Sequence, residues 1–141
     1  MEVRLAVLAD YAAVTDQGKL VIAGIFDTIT APGLPSAHSR VSLALRVHLL
    51  PEEGTEHNLS VRYVDPDGNT LLDFGGPIPA PPQVDAEHGS NAQLVINFEP
   101  LPLEAYGRHA FEVFVDDEYV DAVPLEIVQM NLSSQEPGTR H

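Results

Sequence analysis

Chemistry in this 141-residue chain has to come from carboxylates, histidines and hydroxyls, because it contains no cysteine to act as nucleophile, thiolate ligand or disulfide partner. Acidic turns come first. Asp65-Pro66-Asp67-Gly68 and Asp116-Asp117-Glu118 put oxygen ligands on loops, and neighbouring loops at one end of a β-sandwich suit calcium. Asp65 and Asp67 are the metal candidates. They lack the D-x-[DN]-x-[DN]-G spacing with a distal Glu, and turn chemistry accounts for the same four residues. His38, His48, His57, His88 and His109 show neither H-x-H nor H-x3-H spacing, and His48, His57 and His88 are expected on the surface. Ser36, Ser39 and Ser42 flank His38, but no G-x-S-x-G elbow accompanies them. Gly75-Gly76 runs into proline rather than into a helix that could hold an anion. No motif specifies a reaction, so the expectation is a non-catalytic domain, an enzyme requiring a site assembled from distant residues.

The elements that would position these groups are strands. Twelve prolines and ten glycines punctuate the chain, and the segments between them alternate with period two. Val41, Leu43, Leu45, Val47 and Leu49 share one face, with Ser42, Ala44, Arg46 and His48 opposite. The pattern returns in Leu59-Val61-Tyr63, Ala92-Leu94-Ile96-Phe98, Phe111-Val113-Val115 and Val123-Leu125-Ile127. Two earlier strands, around 3–9 and 20–29, are apolar on both faces and are expected to be covered on both. Thr15-Asp16-Gln17-Gly18-Lys19 between them reads as a type I turn closed by Gly18, which makes paired residue numbers sum to about 34. Asp27 then shares a face with Ile25 and Ile29. A charge there is a contradiction that a bulge at Gly24, local hydrogen bonds or a function must resolve.

Asp65-Pro66-Asp67-Gly68 predicts a second hairpin joining strands 57–65 and 69–74, and the turn at Asp116 to Glu118 a third, its acids solvated. Gly75 to Pro82 predicts an extended connection, residues 75–90 crossing between sheets. Tyr106-Gly107 after Leu101-Pro102-Leu103 suggests either a tyrosine corner or a tyrosine over a sheet edge. The fold expected is an all-β, antiparallel, immunoglobulin-like sandwich of about eight strands with little or no helix. Residues 1–130 form its single domain, and 131–141 a frayed polar tail.

Charge narrows the partners. With 7 Lys and Arg against 21 Asp and Glu the net charge is −14, and the cations are scattered singly, which disfavours nucleic acid and anionic membranes. Asp10 ends the apolar N-terminal run too early for a signal peptide, so the expected location is cytoplasmic. Ala9-Asp10-Tyr11-Ala12, Gly18-Lys19-Leu20, Gly24-Ile25-Phe26-Asp27, Ala31-Pro32 and Leu34-Pro35 before His38 together carry a likeness. The chain resembles an uncharacterised bacterial family of single-domain β-sandwich proteins over residues 5 to about 128. The resemblance implies fold and bacterial origin and brings no catalytic residue or cofactor. Asp10, Tyr11 and Asp27 are therefore the candidate binding residues. The expected function is a binding or protein-interaction module, through a protein partner or self-association by an edge strand, with a calcium-binding module as the alternative.

Overall fold

The computed structural model describes residues 1–54, 56–79 and 87–130. Its strands are β1 (Glu2–Val14), β2 (Leu20–Phe26), β3 (Thr28–Ala31), β4 (Ser36–His38), β5 (Val41–Leu49), β6 (Asn58–Val64), β7 (Thr70–Pro77), β8 (Ser90–Phe98), β9 (Leu101–Leu103), β10 (Gly107–Val115) and β11 (Glu118–Gln129). The helical content of the described residues is one 3-10 turn, Pro51–Glu53. Eleven strands among the described residues replace the expected eight because β3, β4 and β9, of three or four residues, are too short to show an alternation. The expected tail at 131–141, and the part of the 75–90 connection at 80–86, lie outside the described residues.

Period two becomes two facing sheets. One has the order β2-β1-β5-β8, the other β3-β11-β10-β6-β7, and β4 pairs separately with β9. The five apolar residues of β5 are all buried, as are Leu59, Val61 and Tyr63 of β6 and the alternating sets of β8, β10 and β11. Phe98 of the first sheet packs on Phe111 of the second at 5.2 Å, Phe111 on Tyr63 at 4.9 Å, and Tyr63 on His109 at 5.5 Å. This row crosses the core, and each aromatic pair adds about 0.5–1.5 kcal/mol to the burial of its apolar area. His109 is fully buried. Its Nδ1 lies 3.1 Å from the carbonyl oxygen of Gly107. Burial also pushes the Tyr63 hydroxyl well above its ordinary pKa while it donates to the carbonyl of Pro102 at 3.0 Å.

Two expectations about the chain path are corrected. The pairing is antiparallel except for β3, which lies parallel to β11. Gly75, Gly76 and Pro77, expected outside any strand, close β7 opposite Ser60, Leu59 and Asn58. β7 is an edge, so proline at its last position removes no donor the sheet needs.

The first hairpin has the expected register, with Leu8 opposite Phe26, Ala9 opposite Ile25 and Val14 opposite Leu20. Its turn closes by Thr15 N to Lys19 O at 2.8 Å and Gly18 N to Thr15 O at 2.9 Å, with Gly18 at φ +78°. The ladder is interrupted between these pairs at Asp10 and Gly24. Gly24 sits at φ +75°, and a Cβ there would lie 2.5 Å from Asp10 Oδ2. Beyond this joint the arm folds across the outer face of the four-stranded sheet. β1 reaches β8 although β5 lies between them in the sheet, and Gln93 Nε2 donates to the carbonyl of Gly18. Val14 lines a groove with Gln93 and Val95. The arm explains why Ser42 and Ala44, on the face expected to be polar, are completely buried.

At the opposite end, β5 leads to β6 through a linker held by a histidine. His57, expected at the surface, is buried. Its Nδ1 is 2.6 Å from Asp116 Oδ2 and its Nε2 is 3.2 Å from the Gly54 carbonyl, so both ring nitrogens face acceptors. Asp116 is correspondingly a clasp rather than a solvated turn acid. Its Oδ1 accepts from Asn58 N at 2.9 Å, and it and Asp117 form a two-residue turn at φ 51° and 67°. The bond to Asp116 raises the pKa of His57, with the Gly54 carbonyl adding to it against burial. The Asn58 amide, then His57, lowers that of Asp116.

Two outcomes follow from these joints. Gly24→Ala should cost about 1–2 kcal/mol in denaturant unfolding from the positive φ alone, and combining it with Asp10→Ala should restore only the steric part; a wild-type midpoint for Gly24→Ala would contradict the joint described. For the clasp, the raised folded pKa of His57 means its contribution is complete below the unfolded value near 6.5 and is lost as pH rises through the folded value. Asp116, lowered from 3.8, contributes above that value and loses its contribution as pH falls through its folded pKa. The pair therefore holds best between about pH 4 and 6.5, and with Asp116 half exposed its worth is about 1 kcal/mol. His57→Gln should flatten the fall in Tm above that window, and a parallel pair of Tm profiles would show that the clasp does not titrate there.

Candidate functional site

The three binding candidates of the sequence all lie on or beside the β1–β2 hairpin, and the structure separates them. Asp27 is the one residue between β2 and β3, so it marks the point at which the chain leaves one sheet for the other. Its carbonyl accepts from Glu126 N at 2.8 Å, the first hydrogen bond on the new sheet, and its Oδ1 accepts from Thr28 Oγ1 at 2.9 Å. Its side chain is exposed. The contradiction at Asp27 disappears because the alternation does not continue through the crossing: Ile25 is 63% exposed whereas Ile29 is buried.

Asp10 lies at the joint with Gly24 and helps line an open cleft of about 220 Å³ with Phe26, Thr28, Thr30 and His38. His38 packs its ring 6.0 Å from that of Phe26. Asp27 lines a different cleft, of about 330 Å³, with Ile25, Phe26 and Pro124. Phe26 forms a wall of both. Tyr11 borders neither; the Arg40 guanidinium stands 5.3 Å from its ring centroid. Arg40 in turn lies 3.7 Å from Glu99 and 3.4 Å from Asn97 Oδ1, which accepts from Ser42 Oγ at 2.6 Å. The two acids thus face separate clefts, and the Asp10 cleft also holds the hydroxyls of Thr28 and Thr30 and the His38 ring.

Asp65 and Asp67 occupy the second hairpin turn. The Asp65 carboxylate accepts from the amides of Asp67 at 2.9 Å and Asn69 at 2.8 Å, and from Asn69 Nδ2 at 3.3 Å. These bonds, led by the Asn69 amide, hold its pKa below the ordinary carboxylate range. Its lone pairs already close the turn, with Gly68 N bonding Asp65 O at 3.0 Å. Among the described residues no three histidine or carboxylate side chains gather as a metal would require. Tyr106, the corner candidate, donates from its hydroxyl to the Ala31 carbonyl at 3.2 Å and ties a loop to edge strand β3.

The feature that residue patterns missed is the outer surface of the hairpin. Both strands were expected to be covered on each side. Instead Tyr11 is 46%, Val21 44% and Ile25 63% exposed, and the intervening Ala23 is exposed as well. The ladder brings them together, since Tyr11 faces Ala23, Ala13 faces Val21 and Ala9 faces Ile25. The sequence signal was present in the apolar composition of both faces of β2, but it cannot say whether the cover comes from the same chain. Among the described residues β2 is also an edge strand, with β1 as its neighbour in the sheet. By antiparallel alternation the amides of Leu20, Ile22 and Phe26 point away from β1. Residues 20–26 contain no charge and no proline, the usual guards of such an edge.

Among the described residues no helix is long and apolar enough to cross a membrane. No curated protein matches the chain. Among solved structures, the chain is similar to Pseudomonas fluorescens alkylpurine DNA glycosylase AlkC bound to DNA containing an abasic site analog, with TM-score 0.49 and 11% identity. The match covers 90% of this chain and spans about 30% of that one, and at that score it carries no functional argument. A family model does cover most of the sequence: over residues 4–128 the chain belongs to the family of unknown function DUF6941.

Proposed function

We propose that this domain is a non-catalytic protein-interaction module whose binding element is the outer face and free edge of the β1–β2 hairpin. One observation carries this reading: Val21, Ala23 and Ile25 form an exposed apolar ridge along an edge strand without charge or proline. Edge donors and acceptors give affinity to an added strand, and alternating side chains on one face give it register. The partner is an extended protein segment of neutral or basic character. A chain of net charge −14 repels acidic segments at long range, while the uncharged ridge receives the apolar side chains of a basic one.

The test uses a ten-residue peptide of alternating Val and Lys as probe, with amide exchange followed residue by residue. Exchange at Leu20, Ile22 and Phe26 should slow tenfold or more on addition of peptide. Val21→Lys combined with Ile25→Lys, both at exposed positions, should abolish that protection without lowering Tm appreciably. Protection spread evenly over the acidic surface, or unchanged in the double variant, would overturn the reading. Protection of the same amides without peptide, accompanied by a doubled mass in sedimentation, would identify a second copy of the chain as the occupant.

A further inference from the structure

The cations of this acidic chain account for themselves almost completely. Arg4 pairs with Glu2, and Arg40 lies by Glu99 and over Tyr11. Arg62 lies over the Phe114 ring at 4.7 Å with Glu112 and Asp73 as its cross-strand neighbours, and Arg108 faces Glu126 across the β10–β11 ladder. The seventh cation, Arg140, lies outside the described residues. Of the six Lys and Arg within them, Lys19 and Arg46 remain, and neither forms an ion pair there. They come from opposite sides of one space: Lys19 from the folded-back hairpin, Arg46 from the outer face of β5. Together with Leu5, Leu20, Ile22 and Gln93 they line an open cavity of about 420 Å³ between arm and sheet, in which both cations remain exposed. No carboxylate is among its lining residues.

Two like charges converging on one cavity repel each other, and an acid placed between them would be the ordinary structural remedy. Among the described residues no acid takes that place, although the chain is rich in them. We propose that the cavity is a binding site for a small organic monoanion, a carboxylate carrying a short aliphatic tail. The Arg46 guanidinium offers the carboxylate two parallel N–H donors, and Lys19 adds a point charge from the other wall. Leu5, Leu20 and Ile22 supply apolar surface for the tail, and Gln93, whose Nε2 donates to the Gly18 carbonyl, holds the arm over the same wall. The volume suits a small ligand, and the surrounding field of a −14 chain disfavours polyphosphates and other polyanions. Because one cation sits on the arm and the other on the sheet, the bound anion bridges them and holds the hairpin down.

Hexanoate is the probe, titrated into the full chain at constant ionic strength and followed by amide chemical shifts and by Tm. Saturable shifts should concentrate at Lys19, Leu20, Ile22, Arg46 and Gln93, and Tm should rise with concentration, as mass action requires of a ligand selective for the native state. Arg46→Gln, at an exposed position, should weaken hexanoate binding at least tenfold, and Lys19→Gln by a smaller factor. Arg62→Gln, which removes a cation from the far sheet, should leave binding unchanged. Hexanol and inorganic phosphate should each bind at least tenfold more weakly, since one lacks the charge and the other the tail. Shifts scattered away from the cavity, or equal affinity in wild type and Arg46→Gln, would overturn the site. Phosphate binding as tightly as hexanoate would overturn the ligand class.

Discussion

A single residue separates β2 from β3, and everything unusual about this molecule depends on that short joint. Asp27 must take the chain from one sheet to the other without a loop, so β3 begins in line with β2 and is captured by the nearest free edge of the second sheet, that of β11. The direction of travel is unchanged across the joint, which is why β3 is parallel to a neighbour in an otherwise antiparallel sheet. The two sheets are thereby tied at this edge by main-chain hydrogen bonds, Asp27 O to Glu126 N and Ala31 O to Met130 N, as well as by core packing. Up to the joint β2 has only β1 beside it among the described residues, so its other side is an edge of the sheet.

Local physics made much of the fold readable. Alternation fixes which residues of β5, β6, β8, β10 and β11 enter the core, and that choice does not depend on which strands become neighbours. The Thr15 to Lys19 and Asp65 to Asn69 turns are equally local, because Gly18 and Gly68 supply the positive φ and a side-chain or main-chain acceptor closes each loop. Three features needed information from far along the chain. Asp27 looked like a charge on an apolar face because the alternation was continued across a sheet crossing. Ser42 and Ala44 looked solvent-facing because nothing in residues 41–49 announces an arm from residues 11–23. His57 looked like a strand-end surface residue because its partner Asp116 lies 59 positions away.

The site followed the same division. The acidic turns attracted attention as ligands, yet in Asp65 the carboxylate is consumed by the amides of its own turn, which is the local role that Asp has in such loops. Asp10, Tyr11 and Asp27 stand together in the sequence reading because they belong to the Ala9–Ala12 and Gly24–Asp27 segments that carry the family resemblance. The joint at Asp10 and Gly24 then sends them in different directions. Lys19 and Arg46 carried no signal at all: each is an isolated cation in sequence, and only the fold-back of the arm brings them to one cavity.

A two-stranded hairpin of this length is not stable in water by itself, so the arm exists only because something holds it against the sheet. Its polar fastenings among the described residues are Gln93 to the Gly18 carbonyl and Arg40 against Tyr11, added to the packing that buries Ala12, Ser42 and Ala44. Both polar contacts use side chains that water could also satisfy, so their net worth is small. The core behind β5, by contrast, is closed by interdigitated aromatic and aliphatic groups from both sheets. Stability is therefore graded across the molecule, highest at the Phe98-Phe111-Tyr63 row and lowest at the hairpin tip. The apolar ridge sits on that least anchored element. An occupant of either face of the arm changes the free energy of holding it in place, and by linkage the two faces cannot be independent of each other.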